Sequence, residues 1–203
     1  MKILIATGIY PPDIGGPATY SKLLYDELPK RGHNVEILSF GEVRNFPKII
    51  RHIFYFFKIL RRASSCDIIF AQDPVSVGLP AMITSKILRK KFLMRVAGDY
   101  AWELAVQRFG VKEGIDEFQS KKYGLKVELL RWIQSFVVKR ADKVITPSFY
   151  FKNIVSSWVG GDEKVEAIYN GINLNFNPTA SGRIHNSKMK KIISAGRLVP
   201  WKG

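Results

Sequence analysis

Short apolar runs alternate along the chain with segments whose apolar residues recur at helical spacing. Runs rich in β-branched residues favour strands, and apolar residues three or four positions apart favour helices. In the first half the pattern predicts strands over residues 2–9, 35–40, 67–71 and 91–97, and helices over 17–31, 47–63 and 76–89. After a polar stretch with glycines over 98–124, it predicts a helix over 125–140, a strand over 143–146, a helix over 149–158 and an apolar run over 165–169.

This alternation predicts an α/β fold: a Rossmann-like, doubly wound parallel sheet with helices on both faces. Each connection between parallel strands crosses the sheet, and such crossovers are right-handed. Sheets of this kind bind ligands at the carboxyl ends of their strands, near the point where the strand order reverses. The chemistry of this chain is therefore expected in the loops that follow the strands.

The apolar pattern breaks near the C-terminus. Residues 177–190 are rich in Asn, Ser and basic residues and poor in large apolar ones, which is typical of a linker. Residues 191–195 then begin a new apolar strand. The sequence predicts an N-terminal domain over 1–176, a linker over 177–190, and the first strand and loop of a truncated second domain over 191–203.

The composition indicates a globular protein, since 46% of the 203 residues are hydrophobic and 24% are charged. No apolar run approaches the roughly 18 residues of a membrane-spanning helix, and the first run is too short for a signal peptide. The single cysteine, Cys66, excludes an internal disulfide and a multi-cysteine zinc site. We expect a cytoplasmic protein.

The formal net charge is +15, and the positive residues are clustered. Residues 44–62, 86–95 and 177–203 each contain five or six Lys and Arg and no acid. Such clusters attract polyanions, which include phosphates, anionic lipid and nucleic acid. No helix-turn-helix, zinc-finger or RNP-like motif is visible, so nucleic acid is not the expected partner.

The predicted helix over 47–63 separates apolar from basic residues at 100° per residue. The apolar side contains Phe46, Ile49, Ile53, Phe56, Phe57 and Leu60, and the basic side contains Lys48, Arg51, His52, Lys58 and Arg62. Two interpretations are open. The helix covers the sheet and leaves a solvated basic side, or residues 47–63 contact an anionic membrane surface, on the inner face of the cell membrane.

Gly15 and Gly16 follow the first strand and precede a helix with Pro17 near its start. Glycines at this point let a ligand approach bare N–H groups at a helix N-terminus, which favours an anion such as phosphate. A tight strand-to-helix turn explains the same residues without a ligand. The fingerprint G-x-G-x-x-G is absent, which argues against an NAD-dependent oxidoreductase.

Further polar residues follow the later strands. Asp99 and Glu103 come after the fourth strand and could line a cleft for a polyhydroxylated ligand. Ser148 follows the fifth strand, and Asn170 and Gly171 follow the last apolar run. For each there is a structural alternative, because Asp and Ser commonly cap helices and Asn-Gly commonly forms turns.

Arg197 and Lys202 lie five residues apart in the last loop, where they could converge on a diphosphate.

Five segments, in this order, resemble the motifs of the family 4 glycosyltransferases. They are the Gly15-Gly16 loop and residues 30–35, 141–148, 169–173 and 196–203, which together span nearly the whole chain. The resemblance implies the GT-B fold, in which two Rossmann-like domains face each other across a cleft. It places the acceptor on the N-terminal domain and the nucleotide-sugar mainly on the C-terminal one, and it implies sugar transfer with retention of configuration and no metal.

The resemblance also implies roles for individual residues. Gly15 and Gly16 match the family's glycine loop, which approaches the donor phosphates or the acceptor. Arg197 and Lys202 match the basic pair that holds the donor diphosphate and stabilises the departing nucleotide, so we expect both to be catalytic.

Two departures from the family pattern matter. Many members carry a His-Gly pair after the fourth strand, where this chain has Gly98-Asp99, so Asp99 is the substitute catalytic candidate. The family's paired glutamates, which contact the donor sugar and ribose, would lie beyond Gly203. We therefore expect this chain to be the N-terminal part of the enzyme and to have no turnover by itself.

The sequence thus predicts a glycosyltransferase of the hexosyltransferase type that uses a nucleotide-sugar and a glycan or lipid-linked acceptor, in polysaccharide biosynthesis of a bacterial envelope. No cofactor or metal is expected. The alternative is a non-catalytic Rossmann-like module that binds a polyanion.

Overall fold

The computed structural model describes residues 1–171, with Lys48 and Ile49 described by their backbone alone. The strands are β1 (Lys2–Thr7), β2 (Asn34–Ser39), β3 (Ile68–Ala71), β4 (Lys91–Arg95), β5 (Lys143–Thr146) and β6 (Val165–Ala167). The α-helices are α1 (Gly16–Glu27), α2 (Lys48–Ala63), α3 (Gly78–Leu88), α4 (Tyr100–Arg108), α5 (Ile115–Ser120), α6 (Leu125–Lys139) and α7 (Phe149–Val159). Short 3-10 helices occupy Pro29–Arg31 and Phe40–Val43.

The six strands form one sheet in the order β2-β1-β3-β4-β5-β6, and every pair of neighbours is parallel. The predicted α/β fold is confirmed. The chain moves from β1 outward to β2 and then returns past β1 to β3, so the strand order reverses between β1 and β3. Right-handed crossovers in the two directions put helices on opposite faces of the sheet.

The core packs accordingly in two layers. On one face, α1 covers Ile3, Ile5, Val35 and Phe70. On the other face, α2, α3, α6 and α7 cover a larger cluster that includes Leu4, Ala6, Ile69, Phe92, Met94 and Val144. Successive strand residues point to opposite faces, which is why near-continuous apolar runs are needed in strands buried on both sides.

Two aspartates fix the register at the amino edge of the sheet. The Asp67 carboxylate accepts a hydrogen bond from the Lys2 backbone N–H at 2.8 Å, and its own N–H donates to the Lys2 carbonyl at 2.8 Å. Asp142 and Phe92 form the same reciprocal pair, at 2.7 and 2.9 Å. Each aspartate thereby aligns the start of its strand with a neighbour.

Residues 98–124, which the sequence predicts to be a polar stretch without regular elements, contain α4 and α5. These helices have a small core of their own, made of Ala101, Ala105, Val111, Phe118 and Val127. Both helices are short, so their apolar positions are too few to produce a clear helical period.

Asp99 holds this part of the molecule together. It is the N-cap of α4, and its side chain accepts a hydrogen bond from the Trp102 N–H at 3.0 Å. The same carboxylate accepts hydrogen bonds from the Gln134 side chain of α6 at 3.0 Å and the Gln119 side chain of α5 at 2.8 Å. Gln119 in turn accepts a hydrogen bond from the Trp158 indole of α7 at 2.9 Å. One buried carboxylate thus connects four helices.

Helix α2 differs from its predicted arrangement. Its core-facing residues are Tyr55, Ile59 and Ala63, and the Tyr55 hydroxyl donates to the Leu38 carbonyl at 2.9 Å. Ile53 and Phe57, predicted on the apolar side that packs on the sheet, are more than half exposed. The helix is apolar on two opposite sides, and periodicity alone cannot say which of them meets the sheet.

The chain divides into two compact units, Met1–Tyr169 and Asn170–Gly203. The predicted linker over 177–190 and the predicted strand over 191–195 lie outside the described residues. The predicted domain boundaries stay a prediction.

Gly78, at the start of α3, is required by close packing. A β-carbon added there would lie 2.5 Å from the Asp73 carbonyl oxygen and 2.7 Å from the Met94 methyl carbon. The first contact is with backbone and cannot be relieved by a side-chain rotation. The glycine therefore lets α3 start directly against the loop that follows β3.

We expect Gly78→Ala to lower the free energy of unfolding by about 1–3 kcal/mol, as overpacked core substitutions do. Urea denaturation measures this directly. Gly161→Ala is the matched control, because a β-carbon at Gly161 meets nothing within 4 Å. Equal losses in the two variants would contradict the packing argument.

We expect Asp99→Ala to lower the free energy of unfolding by about 2–4 kcal/mol, because it removes an N-cap, leaves the buried Gln134 amide without its acceptor and breaks the bond to Gln119. Asp26→Ala is the control, since Asp26 is an exposed helical aspartate paired with Lys22 at 2.6 Å. That exposed pair should contribute little to the free energy of unfolding, because solvent screens it. A loss for Asp99→Ala no larger than for the control would show that the network contributes little.

Candidate functional site

The carboxyl ends of β1, β3 and β4 lie side by side at the point where the strand order reverses. The loops after these strands also touch one another. The Ser76 hydroxyl, after β3, donates to the Tyr100 hydroxyl, after β4, at 3.2 Å. This edge is where a sheet of this topology offers a crevice for a ligand.

A row of polar side chains crosses this edge on the α1 face. Ala6, Ala71 and Met94 are partners in the ladder, so the residues that follow them form the next row, and these are Thr7, Gln72 and Arg95. All three are almost completely buried. A buried polar row at the end of an otherwise apolar sheet indicates a place where polar groups are needed for binding, since burial of such groups is costly.

Gln72 is the clearest member of the row. Its side chain is 3% exposed, and neither its amide nitrogen nor its amide oxygen has a hydrogen-bond partner among residues 1–171. A buried amide without partners costs free energy unless a ligand or an ordered water satisfies it. Gln72 can donate to one hydroxyl of a ligand and accept from another.

Arg95 adds a buried cation to the same row. Its guanidinium carbon lies 3.9 Å from the centre of the Tyr20 ring of α1, close enough for a cation–π interaction. Burial lowers the pKa of Arg95 and raises the pKa of Tyr20. The positive charge of Arg95 therefore lies against the first turns of α1, the helix that begins at the glycine loop.

Asp73 follows Gln72 and shapes the loop between β3 and α3. One carboxylate oxygen accepts hydrogen bonds from the N–H groups of Val75, Ser76 and Val77, at 3.0, 2.6 and 3.4 Å. The other lies 3.4 Å from where a β-carbon on Gly8 would be, so it faces the end of β1. Burial raises the pKa of Asp73, and these backbone hydrogen bonds oppose the shift.

Gly15 and Gly16 lie at the start of α1, as predicted. Gly15 is the N-cap residue, no side chain caps the helix, and the first turn contains no acid. Gly16 is exposed, and a β-carbon there would meet nothing within 4 Å. The first-turn N–H of Gly16 is therefore approachable, which is the arrangement that anion binding at a helix start requires.

A cavity of about 520 Å³ opens between the β1–α1 loop and the end of β2. Tyr10, Asp13, Ser39, Glu42 and Arg44 are among the residues that line it. Arg44 and Asp13 form an ion pair at 2.6 Å across it. An aromatic ring with carboxylates and a hydroxyl provides the apolar surface and the hydrogen-bond acceptors that a sugar ring can use.

The other predicted site residues follow the later strands. Glu103 lies in the first turn of α4, half-buried, with a carboxylate oxygen 2.6 Å from where a β-carbon on Gly98 would be. Ser148 is the N-cap of α7, and its hydroxyl accepts from the Phe151 N–H at 3.2 Å. Asn170 and Gly171 are exposed, follow β6 in the sequence and belong to the second compact unit.

Asp99 has its carboxylate engaged by three N–H donors and is 1% exposed. Asp99 is the N-cap of α4, which is the structural alternative to a cleft-lining or catalytic role that the sequence leaves open. A catalytic role for Asp99 stays a prediction, as do the roles of Arg197 and Lys202, which lie outside the described residues.

Sequence reasoning missed Gln72 and Asp73. They are the first two residues of the loop after β3, and β3 is a buried strand. Candidates were named in the equivalent loops after other strands. Gln72 carries no charge and belongs to no motif, so the only signal was its place at the end of β3. Its lack of partners can be seen only in the folded chain.

Within residues 1–171 no three His, Cys, Asp or Glu side chains are grouped as a metal site would require. In the same part of the chain, none of the helices combines the length and the apolar character needed to cross a bilayer.

Several solved structures share this fold. A HepE protein of Anabaena, crystallised in complex with UDP, matches with a TM-score of 0.51 and 18% identity, over 86% of this chain and 45% of that one. The UDP-GlcNAc 2-epimerase of Methanocaldococcus jannaschii matches with 0.53 and 14%, over 82% and 45%. A putative UDP-N-acetylglucosamine 2-epimerase of Listeria monocytogenes matches with 0.54 and 12%, over 81% and 43%.

The chain therefore spans less than half the length of these structures. At such low identities the matches show the fold, which is that of one half of a GT-B protein. A search among curated proteins gives no match.

A family model also matches the greater part of the chain. The model of Glycosyltransferase Family 4 matches residues 14–176, which contain the glycine loop, Gln72 and Arg95 of the polar row, and strands β2 to β6. The match agrees with the resemblance to family 4 glycosyltransferases that the sequence motifs indicate. The chain belongs to glycosyltransferase family 4.

Proposed function

We propose that this chain is the acceptor-side half of a transferase that moves a sugar from a nucleotide-sugar to a glycan or lipid-linked acceptor. The family match over residues 14–176 carries the proposal. Support from the site comes from the cavity beside the glycine loop and from the polar row with its unsatisfied Gln72 amide. Both suit a ligand with many hydroxyl groups.

The acceptor, in this proposal, occupies the cavity and reaches the polar row. Asp13 and Glu42 accept hydrogen bonds from acceptor hydroxyls, and Tyr10 packs against a sugar ring. Gln72 binds a hydroxyl near the reacting atom. A lipid-linked acceptor lies in a membrane surface, so contact of residues 47–63 with an anionic membrane belongs to the same proposal.

The donor side of the reaction depends on charge. As the glycosidic bond to the nucleotide breaks, negative charge develops on the leaving diphosphate, and cations already in place stabilise it without reorganisation. By the family resemblance, Arg197 and Lys202 supply these cations. The resemblance gives the Gly15-Gly16 loop a separate role, which is to approach the donor phosphates or the acceptor. The reaction needs no metal in this scheme, and the family resemblance favours retention of the anomeric configuration.

The 203-residue chain alone should not catalyse sugar transfer, because alignment of the donor with the acceptor and exclusion of water require both walls of the cleft. The test uses nucleotide-sugars labelled in the sugar, with membrane extract as the acceptor. We expect label in the glycan or lipid fraction with the whole protein and none with the 203-residue chain. If the whole protein transfers sugar from no nucleotide-sugar, the transferase proposal is wrong. If the 203-residue chain transfers sugar by itself, the prediction that it is inactive alone is wrong.

We expect Gln72→Leu to lower kcat/KM of the whole protein by about tenfold to a hundredfold, since it removes a buried hydrogen bond to the acceptor. The midpoint of thermal unfolding should stay the same or rise, because leucine has a similar volume and no unsatisfied amide.

Gln107→Leu is the control, because Gln107 is an exposed glutamine of α4 away from the carboxyl edge. Its kcat/KM should equal that of the unchanged protein. Unchanged kcat/KM in Gln72→Leu, with normal folding, would show that the acceptor binds elsewhere.

A further inference from the structure

Asp73, the second residue of the loop after β3, has one carboxylate oxygen that the fold uses and one that it does not. Oδ1 accepts hydrogen bonds from the N–H groups of Val75, Ser76 and Val77. Among the described residues Oδ2 accepts no hydrogen bond. Three donors on one oxygen fix the direction of the carboxylate, so Oδ2 is held in one position.

Gly8, directly after β1, leaves open space in front of Oδ2. A β-carbon on Gly8 would lie 3.4 Å from Oδ2, and apart from the chain neighbours of Gly8 no other described atom comes within 4 Å of that position. Gly8 and Asp73 are both partly exposed, so this space can be reached from outside. A hydroxyl oxygen that enters it comes within hydrogen-bond distance of Oδ2.

The space lies between the ends of β1 and β3, where the strand order reverses. Sheets of this topology bind ligands at that point. Gln72, whose buried amide has no hydrogen-bond partner among the described residues, precedes Asp73 directly. Since α-carbons of consecutive residues lie about 3.8 Å apart, a sugar ring seated over the end of β3 can contact both side chains.

Charge distinguishes Asp73 from the two carboxylates of the neighbouring cavity. Asp13 pairs with Arg44 at 2.6 Å. Glu42 pairs with Lys58 at 2.8 Å. Asp73 forms no ion pair within the described residues, and burial raises its pKa against the opposing effect of its backbone hydrogen bonds. A partly buried carboxylate without a cation beside it accepts a proton more readily than a compensated one.

We propose that Asp73 is the catalytic base of the sugar transfer, with Oδ2 bound to the acceptor hydroxyl that attacks the donor. This inference rests on the proposed function and adds a residue to its site. In the step, the acceptor oxygen forms a bond to the anomeric carbon. The bond from that carbon to the diphosphate oxygen breaks and leaves its electron pair on the diphosphate, while the hydroxyl proton passes to Oδ2 of Asp73.

Two other arrangements give Asp73 no part in the chemistry. In one, the leaving diphosphate takes the proton itself. In the other, Asp73 serves only to hold its loop through Oδ1. An asparagine separates the proposal from both, because its amide oxygen can still accept the three N–H bonds, whereas its NH₂ group cannot take a proton.

The first test compares the whole protein with its Asp73→Asn variant, using sugar-labelled nucleotide-sugars and membrane extract as the acceptor. We expect kcat to fall about a hundredfold or more, as loss of a general base does, and the apparent KM to change less than about threefold. In the unchanged protein kcat should fall as decreasing pH protonates Oδ2, and the variant should lack this dependence.

Asp67→Asn is the matched control, because Asp67 also accepts a backbone N–H but lies at the amino edge of the sheet. Its kcat should equal that of the unchanged protein. Circular dichroism checks that both variants fold.

Gly8→Ala tests the same site with the carboxylate left in place. The added methyl group fills the space in front of Oδ2 at an ordinary contact distance, so the midpoint of thermal unfolding should not change. We expect kcat/KM to fall about tenfold or more, because the acceptor hydroxyl can no longer align with the donor. Gly161→Ala is the control, since its β-carbon meets nothing within 4 Å. If Asp73→Asn does not fold, Gly8→Ala decides.

A third measurement uses the 203-residue chain and needs no sugar transfer. A carbodiimide with glycine amide converts reachable carboxyl groups to amides, and peptide mass spectrometry locates them. We expect label on Asp73 and none on Asp99, which is 1% exposed. Gly8→Ala should slow the labelling of Asp73 about threefold or more, because the methyl group covers Oδ2.

Equal kcat in Asp73→Asn and Asp67→Asn, a loss confined to KM, or an unlabelled Asp73 would each overturn the assignment of the base. The transferase proposal stands in all three cases, provided that the unchanged whole protein transfers sugar. Absence of transfer by the unchanged whole protein would overturn both proposals, and it is observed before any variant is compared.

Discussion

Six strands hydrogen-bonded in a single direction force every connection to return across a face of the sheet. The helices on both faces follow from this, and so does the gathering of all strand ends at one edge. Reciprocal hydrogen bonds of Asp67 and Asp142 set the alignment at the opposite edge. The strand ends on which the site depends are therefore fixed by contacts far from any ligand.

The carboxyl edge of the sheet and the outer surface of its helices consequently differ in chemical character. The carboxyl edge holds the buried polar row and the cavity beside the glycine loop. The outer surface of α2, α3 and α6 holds exposed apolar side chains.

The sequence predicted the sheet well because buried strands need runs of apolar residues, and those runs were bounded by glycines and charges. It missed α4 and α5, whose few apolar positions pack only on each other and on α6. It identified α2 as amphipathic but selected the wrong apolar side, since Ile53 and Tyr55 look equally suitable until the sheet is in place. Gln72 became a candidate only when its burial and lack of partners were known. The local pattern of apolar and polar residues predicts helices and strands. The candidate functional residues depend instead on which polar side chains lack hydrogen-bond partners after the helices and strands have packed.

The Asp99 carboxylate has a consequence for motion. Its bonds reach α4 directly, α5 and α6 through glutamines, and α7 through Gln119 and the Trp158 indole. Separation of α4 from α6 would leave the buried Gln134 amide without this acceptor, and separation of α7 from α5 would break the bond between Trp158 and Gln119. The four helices therefore cannot open independently at low cost. In amide hydrogen exchange, their protection should disappear in one cooperative step, whereas the end of α1, held by no such network, frays by itself. This end of the molecule therefore moves as a single body, and a cleft partner would meet it as one rigid wall.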